Sequence, residues 1–136
     1  MASTMQVLVA TAEREVYRGE AEFLVAPGAA GELGILPKHS PLLSALTAGE
    51  LRITNGETVD EVFVSGGFME VQPDMVTILS DSAERAGDID EAAAVEAERK
   101  AKENLDSHKD DIDYAKAEAE LSMMTMRLAW LKNKKK

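Results

Sequence analysis

Apolar and polar positions along the chain follow two different rhythms. Up to about residue 86, short apolar-rich runs are separated by glycine, proline, asparagine and aspartate. Gln6 to Ala12 (QVLVATA) reads as one strand, and Glu20 to Ala26 (EAEFLVA) as another closed by Pro27-Gly28. Leu51–Thr54 and Val59–Val64 flank Asn55-Gly56, a pair that tolerates positive φ and so predicts a hairpin. Phe68–Val71 and Met75–Leu79 flank Gln72-Pro73-Asp74, where proline presets the turn. Short strands with frequent turns predict an antiparallel β-sandwich or barrel. Ser65-Gly66-Gly67 lies between two strand-like runs with no helix after it. It therefore reads as a bulge or tight corner rather than a phosphate loop.

After Gly87 the period changes to that of a helix. Asp88 is a suitable N-cap, with Glu91 three residues on. Ile89, Ala93, Ala97, Ala101 and Leu105 then recur every four residues, until Ser107–Asp111 (SHKDD) interrupts the pattern. A second helix is predicted from near Ile112 to about Asn133, and a short polar connection makes the pair an antiparallel hairpin. On it, Tyr114, Ala117, Leu121, Met124, Leu128 and Leu131 form a heptad seam. Ala115, Ala119, Met123, Met126 and Trp130 form a second apolar stripe on roughly the opposite side. Either this stripe packs on the β domain or it meets another protein; methionines at 123, 124 and 126 suit a face that changes partners. The expected architecture is thus α+β. An N-terminal antiparallel β-sandwich spans 1–86, and a C-terminal antiparallel two-helix hairpin spans 88–136.

One stretch fits neither rhythm. GELGILPKHSPLL, residues 31–43, holds two glycines and two prolines among leucines and an isoleucine. It reads as a shaped loop with Lys38 and His39 in its middle, whose leucines and isoleucine anchor it to the core and hold Glu32 and His39 outward.

Composition narrows the function more than the fold. The chain has 136 residues and a formal net charge of −10. So acidic a chain is poorly suited to nucleic acid, where affinity comes from neutralising phosphates. With no cysteine, disulfides and thiol chemistry are excluded, and two distant histidines, His39 and His108, make a metal site improbable. No positioned nucleophile, base or metal cluster is legible: Ser40 beside His39 is not a triad, and Asp110-Asp111-Ile112-Asp113 lacks EF-hand spacing. The expectation is a non-enzyme without catalytic residues. The start, MASTMQVLVATAERE, has no secretory pattern, and no apolar run reaches the ~18 residues of a membrane span. The chain is expected to be soluble. Lysines 132, 134, 135 and 136 either compensate the last helix dipole or meet an acidic partner.

Three segments carry a family resemblance. GELGILPKHSPLL at 31–43, VSGGFMEVQPDMVTILSDSAERAGDIDEA at 64–92 and DIDYAKAEAEL at 111–121 resemble, in this order, the epsilon subunits of F-type ATP synthases of the bacterial type. The resemblance runs essentially end to end. It implies a β-sandwich followed by a two-helix domain. It further implies a non-catalytic rotor subunit whose sandwich binds the gamma subunit and the ring of c subunits, coupling ring rotation to the catalytic head. Through that complex alone it would meet the membrane, on the cytoplasmic face of a bacterial inner membrane. By resemblance, Glu32 and His39 face the c-ring loops. The hairpin implies inhibition of ATP hydrolysis when it rises toward the alpha/beta head, with Arg127 and Lys132 as basic contacts there. Met123, Met126 and Trp130 belong to its partner-switching face. An alternative is ATP sensing: some family members bind ATP through an Ile-Asp-x-x-Arg-Ala motif. Here Ile89, Asp90 and Ala94 match, as does the upstream Glu84, but Ala93 stands at the arginine position. Losing that guanidinium predicts weak or no nucleotide binding and no cofactor.

Overall fold

The computed structural model describes residues 3–107 and 114–134. The chain divides into two compact units, Met1–Arg85 and Ala86–Lys136. The first contains β1 (Met5–Ala10), β2 (Glu15–Ala21), β3 (Phe23–Gly28), β4 (Gly31–Ile35), β5 (Leu42–Leu46), β6 (Gly49–Asn55), β7 (Thr58–Val64), β8 (Gly67–Val71), β9 (Met75–Leu79) and β10 (Ala83–Arg85). These hydrogen-bond in the order β10-β7-β6-β3-β5-β8-β9-β1-β2, with β4 attached to β3 off the path. The path curls so that its last strand, β2, also approaches β6 and β10. Inside lies one core, in which Met5, Val7 and Val9 of β1 meet Leu51 and Ile53 of β6, Val62 and Val64 of β7, Met69 and Val71 of β8, and Val76 and Ile78 of β9. Each set alternates in sequence, because successive strand residues point to opposite faces.

The structure departs from the sequence reading in definable ways. The pairings are antiparallel except that of β1 with β9, which is parallel. A parallel neighbour needs a long crossover, and strands β2 to β8 supply it. Strand β1 ends at Ala10, short of the predicted Ala12. The run Glu20–Ala26 is not one strand but the end of β2 and most of β3. Strand β2 escapes sequence reading because its pairing slips: Val9 faces Tyr17 and Ala10 faces Glu15, leaving Val16 as an extra buried residue that breaks the alternation. Pro27-Gly28 are the last two residues of β3, so the pair does end the strand while still belonging to it, and the Pro27 carbonyl accepts from Thr47 N at 2.9 Å.

The Asn55-Gly56 hairpin forms with its loop one residue later than Asn-Gly implies. Asn55 pairs with Thr58, so Gly56-Glu57 is the two-residue loop. Gly56 alone takes positive φ, +63°, the pattern of a type II′ turn. Half of GELGILPKHSPLL is regular: Gly31–Ile35 is β4 and Leu42–Leu43 begins β5, so the loop is only residues 36–41. Of its apolar side chains, Ile35 is buried and Leu33 packs on the core, whereas Leu36, Leu42 and Leu43 are exposed. The leucines therefore do not all anchor the segment. At Ser65-Gly66-Gly67 the tight corner is present. Gly66 and Gly67 have φ of +117° and +124°, and a Cβ on Gly67 would lie 2.1 Å from the Leu79 carbonyl oxygen.

The second unit begins with a 3-10 turn, Ala86–Asp88, followed by α1 (Glu91–Ser107) and α2 (Tyr114–Lys134). The N-cap of α1 is Asp90, not Asp88. The Asp90 carboxylate accepts from Ala92 N at 2.9 Å, and its backbone carbonyl accepts from Ala94 N at 3.0 Å. Asp88 instead ends the 3-10 turn. The buried stripe of α1 also shifts, to Ala94 and Ala101, with Ala93 on the solvent side. Ile89 and Ala94 at the start of α1 cluster with Leu128 and Leu131 at the end of α2, so the helices run antiparallel. The seam holds except at its start: Ala117, Leu128 and Leu131 are buried and Leu121 and Met124 half-buried, but Tyr114 is exposed. Ser107 remains helical, its hydroxyl donating to the Glu103 and Asn104 carbonyls. His108, the Asp110–Asp113 cluster, the predicted helix start near Ile112, Lys135 and Lys136 lie outside the described residues.

The two ends of the sandwich path meet at a polar seam. Arg85 on β10 donates from Nη2 to Asp60 Oδ1 on β7 at 2.7 Å, and its guanidinium carbon lies 5.7 Å from the centroid of the Tyr17 ring on β2. Burial first, and then the Asp60 carboxylate, raises the Tyr17 phenol above its ordinary value of 10.0, with Arg85 opposing. A group raised on folding stabilises the fold below its unfolded pKa, and that contribution is lost as pH climbs through the folded one. The unfolding free energy is therefore expected to decline above about pH 10. In Tyr17→Phe the decline should be shallower, as read from urea midpoints at about pH 8 and about pH 11. Equal declines in the two proteins would count against this assignment.

Candidate functional site

The inward faces of β5, β8 and β9 leave their alternate residues pointing out, and several of these are apolar. Ala45, Phe68, Leu79 and Ala10 stand opposite one another across β5, β8, β9 and β1. The adjacent row is Leu43, Glu70, Thr77 and Leu8. Leu43, Phe68 and Leu79 are 70%, 59% and 57% exposed. Directly behind them, Met69, Val71 and Ile78 are buried in the core. The sheet is thus apolar on both faces here, whereas a solvated face normally alternates to polar residues. A shallow depression beside Phe68 is bordered by Thr11, Leu46, Ser80 and Asp81. An exposed apolar patch with a polar rim has the make-up of a protein–protein contact.

This ladder was not singled out from the sequence, although parity contained the signal. Once Met69 and Val71 face inward, Phe68 must face outward, and in Leu42-Leu43 two adjacent leucines cannot share one face of a strand.

Residues 36–41 form a pinned turn at one end of this sheet. Lys38 adopts a positive φ of 69°, and its amide donates to the Pro73 carbonyl in the β8–β9 turn at 2.8 Å. His39 N donates to the Leu36 carbonyl at 3.2 Å, and the His39 ring engages the Ser40 carbonyl through Nδ1 at 2.7 Å. The Lys38 conformation holds because both flanking bonds fix it. Glu32 sits on β4 near the β3–β4 turn, 70% exposed, with one oxygen 3.8 Å from the Arg52 guanidinium. Ile35 lies three steps further along the strand, a rise of about 10 Å before the loop begins. Glu32 and His39 therefore do not share a contact; each has its own neighbour.

The residues of the nucleotide motif are divided between the units. Glu84 is half-buried on β10, opposite Phe63. In the helical unit, Asp90 caps α1, Ala94 is buried against Leu128 and Leu131, and Ala93 is exposed. On α2, Arg127 is half-buried and Lys132 exposed. The second stripe does not act as one face. Trp130 packs on the cluster of Ile89, Ala94, Leu128 and Leu131, with Lys134 Nζ 5.9 Å from its ring centroid. Met123 is half-buried, and Met126, Ala115 and Ala119 are exposed. No described helix is long and apolar enough to cross a membrane.

Comparison with known proteins identifies the family. Residues 4–86 match the family described as ATP synthase, Delta/Epsilon chain, beta-sandwich domain. Residues 88–132 match its long alpha-helix domain. The ATP synthase epsilon chain of Acidithiobacillus ferridurans is 53% identical over 128 residues, covering 94% of this chain and 91% of that one. The ATP synthase epsilon chain of Halorhodospira halophila is 48% identical over 136 residues, covering 98% and 96%. In fold, the chain resembles one in the OSCP/F1/c-ring assembly of the Euglena gracilis mitochondrial ATP synthase. That match has a TM-score of 0.76 at 21% identity and covers 94% of this chain and 81% of that one. With both domains matched in order and relatives near half identity along almost the whole length, the chain belongs to the ATP synthase delta/epsilon chain family.

Proposed function

We propose that the chain is a non-catalytic subunit of the central stalk of an F-type ATP synthase, linking the c-ring to the catalytic head through gamma. The exposed ladder of Leu43, Phe68 and Leu79 carries this reading, because a rotor subunit must transmit torque through a contact that holds. Full-length likeness to epsilon chains supports it, as does a fold shared with a chain in an F1/c-ring assembly. The apolar ladder is assigned to gamma. Glu32 and His39 are assigned to the polar loops of the c-ring, where exposed charges set orientation more than affinity. Membrane association follows through the complex, on the cytoplasmic face of a bacterial inner membrane.

Replacing Phe68 and Leu43 together by glutamate is expected to weaken gamma binding by at least about tenfold, since it places charge in the apolar centre of a contact. Glu32→Ala with His39→Ala is expected to weaken c-ring binding only a few-fold and leave gamma binding intact. Pull-down titrations with each partner separate the two. Undiminished gamma binding by the glutamate pair would remove the ladder from the contact.

The hairpin is assigned an inhibitory role, with Arg127 and Lys132 as basic residues that meet the alpha/beta head when it extends. The alanine-lined seam between α1 and α2 and the exposed Met126 support an element able to exchange neighbours. Truncation after Gly87 in the assembled complex is expected to raise the rate of ATP hydrolysis several-fold, on the order of 1 kcal/mol of barrier. An unchanged rate leaves only the structural role.

Nucleotide sensing is not part of the proposed function. Ala93 supplies no cation for phosphate, the Asp90 carboxylate is engaged at the helix start, and Ala94 is buried between the helices. Titration calorimetry with ATP is expected to give no heat of binding at micromolar concentrations; a micromolar affinity would reverse this.

A further inference from the structure

The polar seam at the sandwich ends sits where the first unit stops. Arg85 is the last residue of β10 and of that unit, and Ala86 opens the 3-10 turn that leads to α1. Strand β10 is only Ala83–Arg85, paired on one side to β7 through Val64, Phe63 and Val62. So short an edge strand has little backbone pairing to hold it. Its side chains supply the rest. Ala83 is buried in the core, and Arg85 reaches Asp60 on its pairing partner and Tyr17 on the opposite end of the sheet. Arg85 thus touches both its pairing partner and the opposite end of the strand path, and Asp60 faces the same Tyr17 ring. The planar guanidinium suits both contacts: it donates to a carboxylate in its plane and stacks by its face on an aromatic ring.

We propose that Tyr17, Asp60 and Arg85 form a clasp that fixes the end of the sandwich and so sets the length of tether available to the helical unit. This rests on the regulatory reading of the hairpin given above. With the clasp closed, the tether begins at Ala86. With it open, β10 peels from β7, and three further residues join the tether, adding about 10 Å of reach. An element that must travel to another subunit is sensitive to such a change, because effective concentration depends on linker length. Arg85 acts here through the strand it holds and is a positioning residue.

The test uses the full chain and the reconstituted complex. In Arg85→Ala, amide hydrogen exchange at Ala83, Glu84 and Arg85 should quicken by about five- to tenfold, the combined size of an exposed ion pair and a cation–π contact. Amides of β1 and β9 should be unchanged. Asp60→Asn should quicken the same amides, and the double variant should add nothing to the larger single effect, because both remove one contact. Arg85→Lys keeps the charge without the plane and should fall between; it also stands in if Arg85→Ala fails to fold. Unchanged exchange at β10 in both Arg85 variants overturns the clasp. In the complex, an opened clasp should shift the rate of ATP hydrolysis measurably from that of the parent. If truncation after Gly87 raises hydrolysis while Arg85→Ala opens β10 without shifting it, the tether role is overturned and the hairpin reading stands. If truncation changes nothing, the hairpin reading fails, and the exchange data alone judge the clasp.

Discussion

The close approach of Gly67 to the Leu79 carbonyl is the constraint on which the outer face of the sandwich depends. Any side chain at residue 67 would collide with backbone, not with a movable group. Only that approach lets β8 leave the corner already paired with both β5 and β9, so that Leu46 faces Gly67 and Phe68 faces Leu79. The same register that buries Met69 and Ile78 puts Phe68 and Leu79 into water. Slipping β8 by one residue would exchange the two sets and destroy the core and the apolar outer face together. The core and the exposed apolar ladder therefore rest on one backbone contact.

The corner is reinforced from beneath by hydroxyl groups rather than by apolar packing. Ser80, buried at the end of β9, donates to the Ser82 carbonyl at 2.8 Å, and Ser82 N donates to Ser65 Oγ at 3.0 Å. These bonds tie the chain before β8 to the chain after β9. The apolar face stands on a frame that is closed at both of its turns: Gln72 and Met75 exchange backbone bonds at the other end, and Lys38 binds that turn from outside. Rigidity of this kind lowers the entropy lost when a flat apolar surface is covered by a partner.

What could be read from the sequence follows from how local each determinant is. The turn at Gln72-Pro73-Asp74, strands β8 and β9, and the heptad seam of α2 are set by neighbours in sequence, and they stand where the pattern put them. Strand β2 was missed because its bulge is dictated by β1, across the sheet. The cap was misassigned because Asp88 and Asp90 are chemically alike, and only the intervening 3-10 turn decides between them. Gly-rich, Pro-rich residues 31–43 concealed a regular strand whose partner, β3, itself carries Pro27-Gly28. His39 was legible in its shaped loop and Glu32 entered through the family resemblance, but the exposed apolar ladder was not legible, since its exposure depends on which strands lie side by side.

The small side chains between α1 and α2 have a further consequence. Ala94, Ala101 and Ala117 bury little surface each, so the helical unit is held by a thin apolar seam, whereas the sandwich closes around large branched side chains. Local stability is therefore unequal along the chain, and the two-helix unit sits at the low end of that scale. Leu128 and Leu131 anchor one end of the seam and alanines line the rest, so the sandwich and the helical unit are held by unequal amounts of apolar surface.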